Sequence, residues 1–398
     1  MKLCVVTATR AEFGLLSGVM ELIESDASLE LQVVVTGAHL MEEFGHTVDA
    51  VRSAGFAVSA AVTEITSAET NADVAHQVGA GISGFTKALG PLTPDAIVIL
   101  GDRYEMLAAA VAAFFLDIPI VHLHGGEVTE GAFDDSIRHV ITKLSRVHCV
   151  AADAYATRVI QLGENPDCVH VVGGLGVDQA SKLSLMPRDE LEADLGLKLA
   201  DTVLLVTYHP VTAGGHDSGA ELSEIMVALD SFPDASVIFT MPNADPNHQF
   251  IRDLIEKAVH DHDHDHDHDH GPAWHAFVSL GQRRYLSLAS LATAVVGNSS
   301  SGLMEVPSLK TATVNVGERQ EGRLLAASVI NAAPERGAVS AAITRAMSPE
   351  FRRSLDTVVS PYGLPGASKK ILRLIKDTDF RSFVAKQFFD VHYAEGGS

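Results

Sequence analysis

Short apolar runs alternate with longer amphipathic stretches along nearly the whole chain. The runs of the first half that predict buried strands are Leu3–Thr7, Leu31–Val35, Ala96–Leu100, Ile118–Leu123, Val147–Val150 and Val169–Val172. The corresponding runs of the second half are Thr202–Thr207, Ser236–Thr240, Ala276–Leu280, Thr293–Val296 and Thr311–Val314. Helix-like segments lie between them, for example Glu12–Ile23, Tyr104–Phe115, Ser136–Ser145 and Leu222–Leu229. Continuous Val, Ile and Leu strands separated by helices are typical of parallel sheets covered on both faces.

Two such series in succession predict an α/β fold of two doubly wound, Rossmann-like domains that face each other across a cleft. The glycine-rich segment 173–176 marks the boundary, so we expect one domain over 1–174 and a second over 175–367. A helix over about 368–390 is expected to cross back and complete the first domain. Ligands of open parallel sheets bind beyond the carboxyl ends of the strands, which places the expected site in the cleft.

The charge and the absence of certain patterns limit the class of protein. With 29 Lys and Arg against 51 Asp and Glu, the 398-residue chain has a formal net charge of −22. This acidity argues against nucleic acid or an anionic membrane surface as the main partner. No apolar stretch approaches the roughly 18–20 residues of a membrane span, and the apolar run before Arg10 is too short for a signal peptide. The three cysteines are scattered without a CxxC pair, so we expect no disulfide framework and a cytoplasmic protein.

The segment 260–270 alternates His and Asp. It supplies 5 of the 51 acidic residues and 6 of the 19 histidines. Alternating polar residues without an apolar partner predict a disordered, lengthened loop inside the second domain. Imidazoles can bind Zn²⁺ or Ni²⁺, and a metal site is therefore the alternative interpretation of this tract.

Polar clusters follow the first and third strand candidates. Arg10 lies at a helix start after the first strand, where backbone N–H groups and a guanidinium favour an anion such as phosphate. A solvated salt bridge is the alternative. Asp102 and Arg103 follow Ala96–Leu100. Asp102 could cap the next helix, or the two residues could serve acid–base chemistry and phosphate binding in the cleft.

A denser cluster follows the next strand. Strand alternation places His122 and His124 on one face, and the glycines before Glu127 would let the backbone approach a ligand closely. Asp134 and Arg138 are four residues apart, so a local ion pair on one helix face is the alternative to a role in the site. No HExxH or comparable ligand spacing is present, and we expect no metal here.

Polar residues also follow the strands of the second half. The candidates are His209, Asn243, Ser299 and Ser300 before a helix that contains Glu305, and Arg319. Hydroxyls and free N–H groups at a helix N-terminus predict a seat for a diphosphate, although serine caps alone are common. Neither GxGxxG nor GxxxxGK(S/T) occurs at these turns, which argues against NAD and ATP.

Six motifs occur in an order that is typical of one family. They are GDRYE, HGGE with DDSIRH, HPVT, GNSSSG with Glu305, and GERQEGR. On these motifs the chain resembles the hydrolysing UDP-N-acetylglucosamine 2-epimerases of the sialic-acid pathway, from about residue 3 to about 375 without the His–Asp tract. The resemblance implies a GT-B-type fold, a UDP-sugar in the interdomain cleft, and neither a cofactor nor a catalytic metal. We also expect a homodimer or homotetramer.

The resemblance further implies roles for individual residues. It places the UDP moiety against Arg10, Arg103, His209, Asn243, Ser299, Ser300, Glu305 and Arg319, with Leu280 at the base and Arg138 among the substrate contacts. It makes Asp102 and Asp134 catalytic carboxylates and places His209 near the phosphates, where it is also a catalytic candidate. The family includes the epimerase half of a bifunctional animal enzyme. That enzyme has a catalytic Glu at the position where this chain has His124, while Glu127 is present in both. Either His124 or Glu127 is therefore expected to take the acid–base role.

The family reaction is elimination of UDP to a 2-acetamidoglucal, followed by hydration with protonation of C2 from the opposite face. The first substrate we expect is UDP-N-acetylglucosamine, converted to N-acetylmannosamine for nonulosonic acid biosynthesis. The alternative is UDP-2,4-diacetamido-2,4,6-trideoxy-glucose of the legionaminic acid pathway. A GT-B glycosyltransferase and a non-catalytic nucleotide-sugar or metal-binding protein are the remaining classes.

Overall fold

Two parallel sheets organise the chain. The computed structural model describes residues 1–129, 133–211, 217–242, 248–265, 274–381 and 386–391. The first sheet contains β1 (Lys2–Thr7), β2 (Glu30–Thr36), β3 (Val58–Val62), β4 (Ala96–Leu100), β5 (Ile120–Leu123), β6 (Val147–Val150) and β7 (Val169–Val171). The second contains β8 (Thr202–Thr207), β9 (Ala235–Thr240), β10 (Trp274–Phe277), β11 (Ala294–Gly297), β12 (Ala312–Val316) and β13 (Val329–Ala332).

Helices connect these strands. In the first half they are α1 (Arg10–Glu24), α2 (Val48–Ser53), α3 (Asn71–Leu92), α4 (Tyr104–Phe115), α5 (Asp134–Leu144), α6 (Asp153–Gln161) and α7 (Leu175–Lys182). In the second half they are α8 (Arg188–Leu195), α9 (Ser218–Leu229), α10 (His248–Asp265), α11 (Gly281–Leu291), α12 (Ser301–Met304), α13 (Arg336–Met347), α14 (Pro349–Ser354) and α15 (Ala367–Asp377). None of the helices in the described ranges is long and apolar enough to cross a bilayer.

The strand orders are those of two doubly wound sheets. The first sheet runs β3-β2-β1-β4-β5-β6-β7 and the second β10-β9-β8-β11-β12-β13, with parallel pairing throughout. The order reverses between β1 and β4 in one sheet and between β8 and β11 in the other. In such sheets the ligand crevice opens at this switch point, beyond the carboxyl ends of the strands. The sequence-predicted fold class is confirmed.

Both faces of the first sheet are buried, and β1 shows why. Leu3 and Val5 pack into one apolar cluster, whereas Cys4 and Val6 pack into another on the opposite face. Successive side chains of a strand point to opposite faces, so a strand covered on both sides must be apolar throughout. This requirement produces the continuous apolar runs that predicted the strands.

We propose the division 1–174 plus α15 for the first domain and 175–367 for the second. The first sheet and α15 share one core, because Ile371 and Ile375 of α15 pack into the cluster that holds Leu3 and Val5. The predicted helix over 368–390 is too long: α15 ends at Asp377, since its apolar contacts with that core end with Ile375.

The two strands that the sequence analysis missed, β3 and β13, lie at sheet edges and contain few buried residues. β3 and β13 are covered on one side, and only Val62 of β3 and Ile330 of β13 are fully buried. A short edge strand therefore needs few apolar residues and gives little signal in the sequence.

The loop prediction for 260–270 is wrong for the residues that the structure describes there. The helix α10 continues through the first part of the tract to Asp265, and residues 266–270 lie outside the described ranges. Adding one residue to an existing helix costs little compared with nucleation. In addition, the His262 ring stacks on Trp274 of β10 with the ring centroids 4.7 Å apart, which ties this turn to the sheet.

A buried ionic cluster joins the segment 386–391 to the first domain. The Glu164 carboxylate, with 1% of its side chain exposed, contacts Lys143 at 2.6 Å, His148 at 3.0 Å and Lys386 at 2.5 Å. The Lys386 ammonium also donates to the carbonyls of Lys143 and Ser145. Burial alone would raise the pKa of Glu164, but the hydrogen bonds from these three partners outweigh it and lower the pKa to about 2.

The substitution Glu164→Gln should destabilise the protein by about 3–5 kcal/mol at pH 7, because it leaves buried cations without a carboxylate. A depressed folded-state pKa contributes stability above the unfolded value near ~4.3, and this contribution is lost as the pH falls through about 2. In urea unfolding curves, the difference in the free energy of unfolding between wild type and Glu164→Gln should therefore become smaller as the pH is lowered. Glu190→Gln, at an exposed pair with Arg283, is the control; equal midpoints for Glu164→Gln and wild type would contradict the expectation.

Candidate active site

A cavity of about 270 Å³ opens where the carboxyl ends of the two sheets face each other. Seven of the residues predicted to bind UDP line it, namely Arg10, His209, Leu280, Ser299, Ser300, Glu305 and Arg319. Asn243 lies outside the described residues, and Arg103 and Arg138 lie beside the cavity rather than in its lining. The switch points of both sheets thus bring together side chains that are up to about 300 residues apart in the chain.

Arg10 is fixed by the start of α1. The Thr9 hydroxyl accepts the Glu12 N–H at 3.3 Å, and the Glu12 carboxylate accepts the N–H groups of Ala8 and Thr9 at 2.8 and 3.1 Å. This reciprocal capping holds the first helical residue at the end of β1. The Arg10 guanidinium then crosses the cleft and donates to the Ser279 hydroxyl. Burial, followed by the charge of Arg284, lowers the pKa of Arg10, yet a guanidinium keeps its proton in proteins.

Asn298 organises the opposite wall and was not among the predicted site residues. Its side chain accepts the His209 N–H at 2.7 Å and donates to the His209 carbonyl at 2.8 Å. Its own carbonyl accepts from Arg319 at 3.1 Å and from Gln320 at 2.8 Å. The sequence contained a signal for this residue, because Asn298 belongs to the motif GNSSSG. Its role, however, depends on β8 and β11 being neighbouring strands of the sheet.

The helix after the serines was predicted to contain Glu305, but it ends one residue before it, at Met304. The helix α12 has a single turn, and Ser300 precedes it, so a macrodipole contributes little there. The hydrogen-bond donors available to an anion here are the hydroxyls of Ser299 and Ser300 and backbone N–H groups. Glu305 follows α12, and burial raises its pKa. A Cβ on Gly176 would lie 2.6 Å from Glu305 Cγ, which explains the glycine at this position of the boundary segment 173–176.

Beside the cavity, Arg138 forms the centre of a buried cluster. Its side chain is 1% exposed and forms an ion pair with the Asp102 carboxylate, which is 21% exposed. It also donates to the Glu127 carbonyl at 2.9 Å and to the Thr129 hydroxyl at 3.0 Å. The sequence left open a local ion pair between Asp134 and Arg138 within α5. In the structure, Arg138 pairs with Asp102, which lies outside this helix. The helix α5, which begins at Asp134, therefore contacts Asp102 through Arg138.

His124 and Glu127 form a pair in which each polar atom has a partner. His124 Nε2 accepts the Leu175 N–H at 3.2 Å, so Nε2 carries no proton and Nδ1 donates to Glu127 Oε1 at 2.9 Å. The second Glu127 oxygen lies 3.4 Å from Arg323 Nη1. Burial would raise the pKa of Glu127, but Arg323 and His124 outweigh it and the pKa is lowered. The structure thus assigns one tautomer to His124 and the carboxylate form to Glu127.

The expectation that His122 and His124 share a face is wrong, because β5 ends at Leu123. His124 has a φ of 63° and leaves the strand alternation. His122 stays in the sheet, contacts the Gly101 carbonyl at 2.8 Å and the Thr142 hydroxyl at 3.2 Å, and burial lowers its pKa to about 3. It therefore holds the backbone just before Asp102. Gly126, at φ 76°, lies against the Tyr155 carbonyl, so it serves backbone packing rather than the approach of a ligand.

Arg103 lies between the ends of β1 and β4. Its guanidinium binds the buried Glu105 carboxylate through Nε at 3.1 Å and Nη2 at 3.2 Å. Glu12 is close to both residues. Burial raises the pKa of Glu12 to about 7, against the opposing charge of Arg103. Among the described residues, no group of three or more His, Cys, Asp or Glu side chains is placed to hold a metal ion.

The substitution Glu12→Gln should make stability less dependent on pH. A raised folded-state pKa means that wild-type stability is complete below ~4.3 and falls as the pH rises through about 7. At about 1.4 kcal/mol per pKa unit, the loss between pH 5 and 8 is on the order of 3 kcal/mol. Glutamine keeps an acceptor for the Ala8 and Thr9 N–H groups without a charge. Thermal unfolding from pH 5 to 8 measures this, with the exposed Glu21→Gln on α1 as control; parallel pH profiles for Glu12→Gln and wild type would contradict it.

A nucleotide-sized cavity between two Rossmann-like domains, with arginines in its walls and carboxylates beside it, defines the GT-B-like class of nucleotide-sugar proteins. The profile of the UDP-N-acetylglucosamine 2-epimerase family matches residues 21–376, and the chain belongs to this family. The resemblance identified from the motifs is confirmed.

Characterised relatives cover nearly the whole chain. A GDP/UDP-N,N'-diacetylbacillosamine 2-epimerase (hydrolyzing) of Campylobacter jejuni is 36% identical over 98% of this chain and 99% of its own length. The polysialic acid biosynthesis protein P7 of Escherichia coli is 32% identical over 98% and 97%. A UDP-N,N'-diacetylbacillosamine 2-epimerase (hydrolyzing) of Legionella pneumophila is 31% identical over 96% and 97%. These matches show that the chain belongs to the hydrolysing UDP-sugar 2-epimerases.

Solved structures support the fold. The UDP-GlcNAc 2-epimerase of Neisseria meningitidis, bound to UDP-GlcNAc, superposes with a TM-score of 0.78 at 21% identity, over 95% of this chain and 100% of that chain. The enzyme of Methanocaldococcus jannaschii, in complex with UDP-GlcNAc and UDP, gives a TM-score of 0.75 at 18% identity, over 94% and 99%.

Proposed function

We propose that the protein is a hydrolysing 2-epimerase of a UDP-linked 2-acetamido sugar. The observation that carries the proposal is a chain of contacts that connects the cavity with the carboxylate cluster. Ser300, at the cavity, directly precedes α12, and Met304 at the other end of this helix contacts Arg323, which contacts Glu127. A diphosphate at the serine end directs the attached sugar toward the carboxylates.

We assign the binding of UDP to the residues that line the cavity. Arg10 and Arg319 provide positive charge from opposite walls. Ser299 and Ser300 provide hydroxyl donors, and Leu280 lies against the base. Because UDP departs as an anion, these preorganised donors stabilise the leaving group, and such electrostatic stabilisation is often the largest part of catalysis. Glu305 is assigned to the UDP moiety as well, and His209 to the phosphates.

Elimination requires a base near C2 of the sugar. Asp102 is assigned this role, because Arg138 holds it in place and an ionised carboxylate can accept a proton. As the proton leaves C2, the bond between C1 and the UDP oxygen breaks, and 2-acetamidoglucal and UDP form. A positioned base contributes roughly 10²–10⁴-fold to such a step.

Hydration adds water to the glucal. Of the two alternatives for the acid–base role, we assign proton transfer to His124 and orientation to Glu127, because Glu127 binds the Nδ1–H and leaves Nε2 as the acceptor. For this role Nε2 exchanges the Leu175 N–H for a water molecule. Asp134, at the start of α5, is assigned the proton that enters C2 from the opposite face. The sum of the two steps is UDP-sugar plus water giving the 2-epimeric sugar plus UDP.

For the substrate we propose UDP-N,N'-diacetylbacillosamine, which is UDP-2,4-diacetamido-2,4,6-trideoxy-glucose. Two relatives that match along nearly the whole chain are named for the diacetylbacillosamine sugar, one as the UDP-linked form and the other as the GDP- or UDP-linked form. UDP-N-acetylglucosamine is the second candidate, supported by a UDP-N-acetylglucosamine 2-epimerase of Neisseria meningitidis serogroup B that is 30% identical over 86% of this chain. In both cases the protein supplies an amino sugar to nonulosonic acid biosynthesis, is cytoplasmic and acts as a homo-oligomer.

The choice of substrate is tested by UDP release from each sugar nucleotide without an added acceptor. We expect a higher kcat/KM with the diacetamido sugar. Release that needs an acceptor would identify a glycosyltransferase, and UDP binding without release from either sugar would identify a non-catalytic protein; both results contradict the proposal.

The substitution Asp102→Asn should lower kcat by about 10²–10⁴-fold while the Kd for UDP stays nearly unchanged, because it removes the base but not the cavity. Calorimetric titration with UDP and thermal unfolding show whether the variant is folded. Asp117→Asn, at an exposed residue after α4, is the control. Substantial turnover by folded Asp102→Asn would overturn the assignment.

A further inference from the structure

Arg323 belongs to the second half of the chain, but its side chain is buried against the first domain. It lies in the connection between β12 and β13, in the motif GERQEGR, and 7% of its side chain is exposed. Nη1 lies 3.4 Å from Glu127 Oε2, and Nη2 donates to the Thr129 hydroxyl at 3.1 Å. Neither the motifs nor the proposed mechanism gave this residue a role.

The backbone next to Arg323 is held across the same boundary. The Leu324 N–H donates to the Tyr155 hydroxyl of α6 at 3.3 Å, and the Tyr362 hydroxyl donates to the Leu324 carbonyl at 3.1 Å. The guanidinium therefore approaches Glu127 from a fixed peptide. Its position depends on the approach of the two domains, because the groups that fix it come from both.

Two guanidinium groups enclose the segment from Glu127 to Thr129. Arg323 binds the Glu127 carboxylate and the Thr129 hydroxyl, and Arg138 binds the Glu127 carbonyl and the same hydroxyl. Arg138 in turn forms the ion pair with Asp102. A displacement of this segment would thus move the partner of the proposed base, and a small misplacement of a catalytic group costs much of its rate enhancement.

We propose that Arg323 is a positioning residue of the reaction, which on closure of the cleft clamps the segment 127–129 against Arg138 and so orients Asp102 and the Glu127–His124 pair. The inference rests on the proposed function, because its readout is the epimerase reaction. Because Arg323 belongs to the second domain, the proton-transfer groups are aligned only when that domain is in contact with the first. The second domain also carries most of the proposed UDP contacts. Binding of UDP and alignment of the proton-transfer groups thereby become coupled.

The surroundings of Glu127 define the expected pH effect. The titratable and charged groups that face it are His122, His124, Arg138, Tyr155, Arg158, Arg323 and Tyr362. Of these, Arg323 is the largest influence that favours the carboxylate form. Without it, Glu127 should bind a proton at a higher pH and release its hold on His124 Nδ1–H.

The test compares wild type, Arg323→Lys and Arg323→Met in steady-state kinetics from pH 5.5 to 9 with the preferred UDP-sugar. For Arg323→Met we expect kcat to fall about 10- to 100-fold, with KM and the Kd for UDP within about 3-fold. We expect the acid limb of the kcat profile to move to higher pH. Arg323→Lys keeps the charge but cannot bind two acceptors as a fork, so it should recover the pH profile and part of kcat.

Thermal unfolding of each variant identifies loss of structure, and Arg283→Met, at the exposed pair with Glu190, is the matched control. If Arg323→Met retains kcat and the wild-type pH profile, or loses activity only through KM, the positioning role is overturned while the epimerase function stands. An identical loss with Lys and Met and no change of the pH profile would also overturn it. If wild type releases UDP from neither sugar, the proposed function and this inference both fail.

Discussion

The buried ion pair between Arg138 and Asp102 is the interaction on which the arrangement of the proposed catalytic groups depends. A guanidinium with 1% exposure cannot be left without acceptors, since burying an unpaired charge costs several kcal/mol. Arg138 meets this demand by taking acceptors from the end of β4, from the segment after β5 and from α5 itself. Three pieces of chain are therefore held around one cation, and Asp102, with 21% of its side chain exposed, is held as part of that arrangement.

Local charge, not net charge, explains how an acidic protein can bind an anionic nucleotide sugar. The formal charge of −22 is carried largely by the surface, where water and salt screen it. In the cleft, by contrast, Arg10 and Arg319 line the cavity, and Arg138 and Arg323 lie beside it. The His–Asp tract, which contributes much of the unusual composition, begins in the last turns of α10 and far from these arginines in sequence. Composition excluded classes of partner but gave no location for the site.

The fold was largely predictable because buried parallel strands must be apolar on both faces, and the residues after their carboxyl ends must converge. That reasoning led to Arg10, His209 and the serines after β11, which line the cavity. It failed where an element has one exposed face, as in β3 and β13, and where helix length depends on tertiary contacts, as in α12 and α15. It also misplaced His124: the predicted strand ends at Leu123, as β5 does, but nothing in the local pattern reveals the positive φ with which His124 leaves the strand alternation.

The roles of Asn298 and Arg323 were out of reach for a different reason. Asn298 connects the ends of β8 and β11, and Arg323 connects the two domains, so both depend on partners about 90 and 200 residues away in the chain. Each residue stands in a motif, but a motif does not state which backbone atom or carboxylate it will meet. Such contacts become visible only when strand order and domain placement are known, and they are the contacts that turn separate polar clusters into one site.

In the proposed reaction, the site breaks the bond between C2 of the sugar and its hydrogen and then forms a new one. Proton NMR of the sugar formed from the UDP-sugar in deuterated water follows this exchange. We expect a free sugar of inverted configuration at C2 that carries deuterium at C2, because the glucal takes its new hydrogen from solvent. A product that keeps its original C2 proton, or its original configuration, would contradict the proposed reaction.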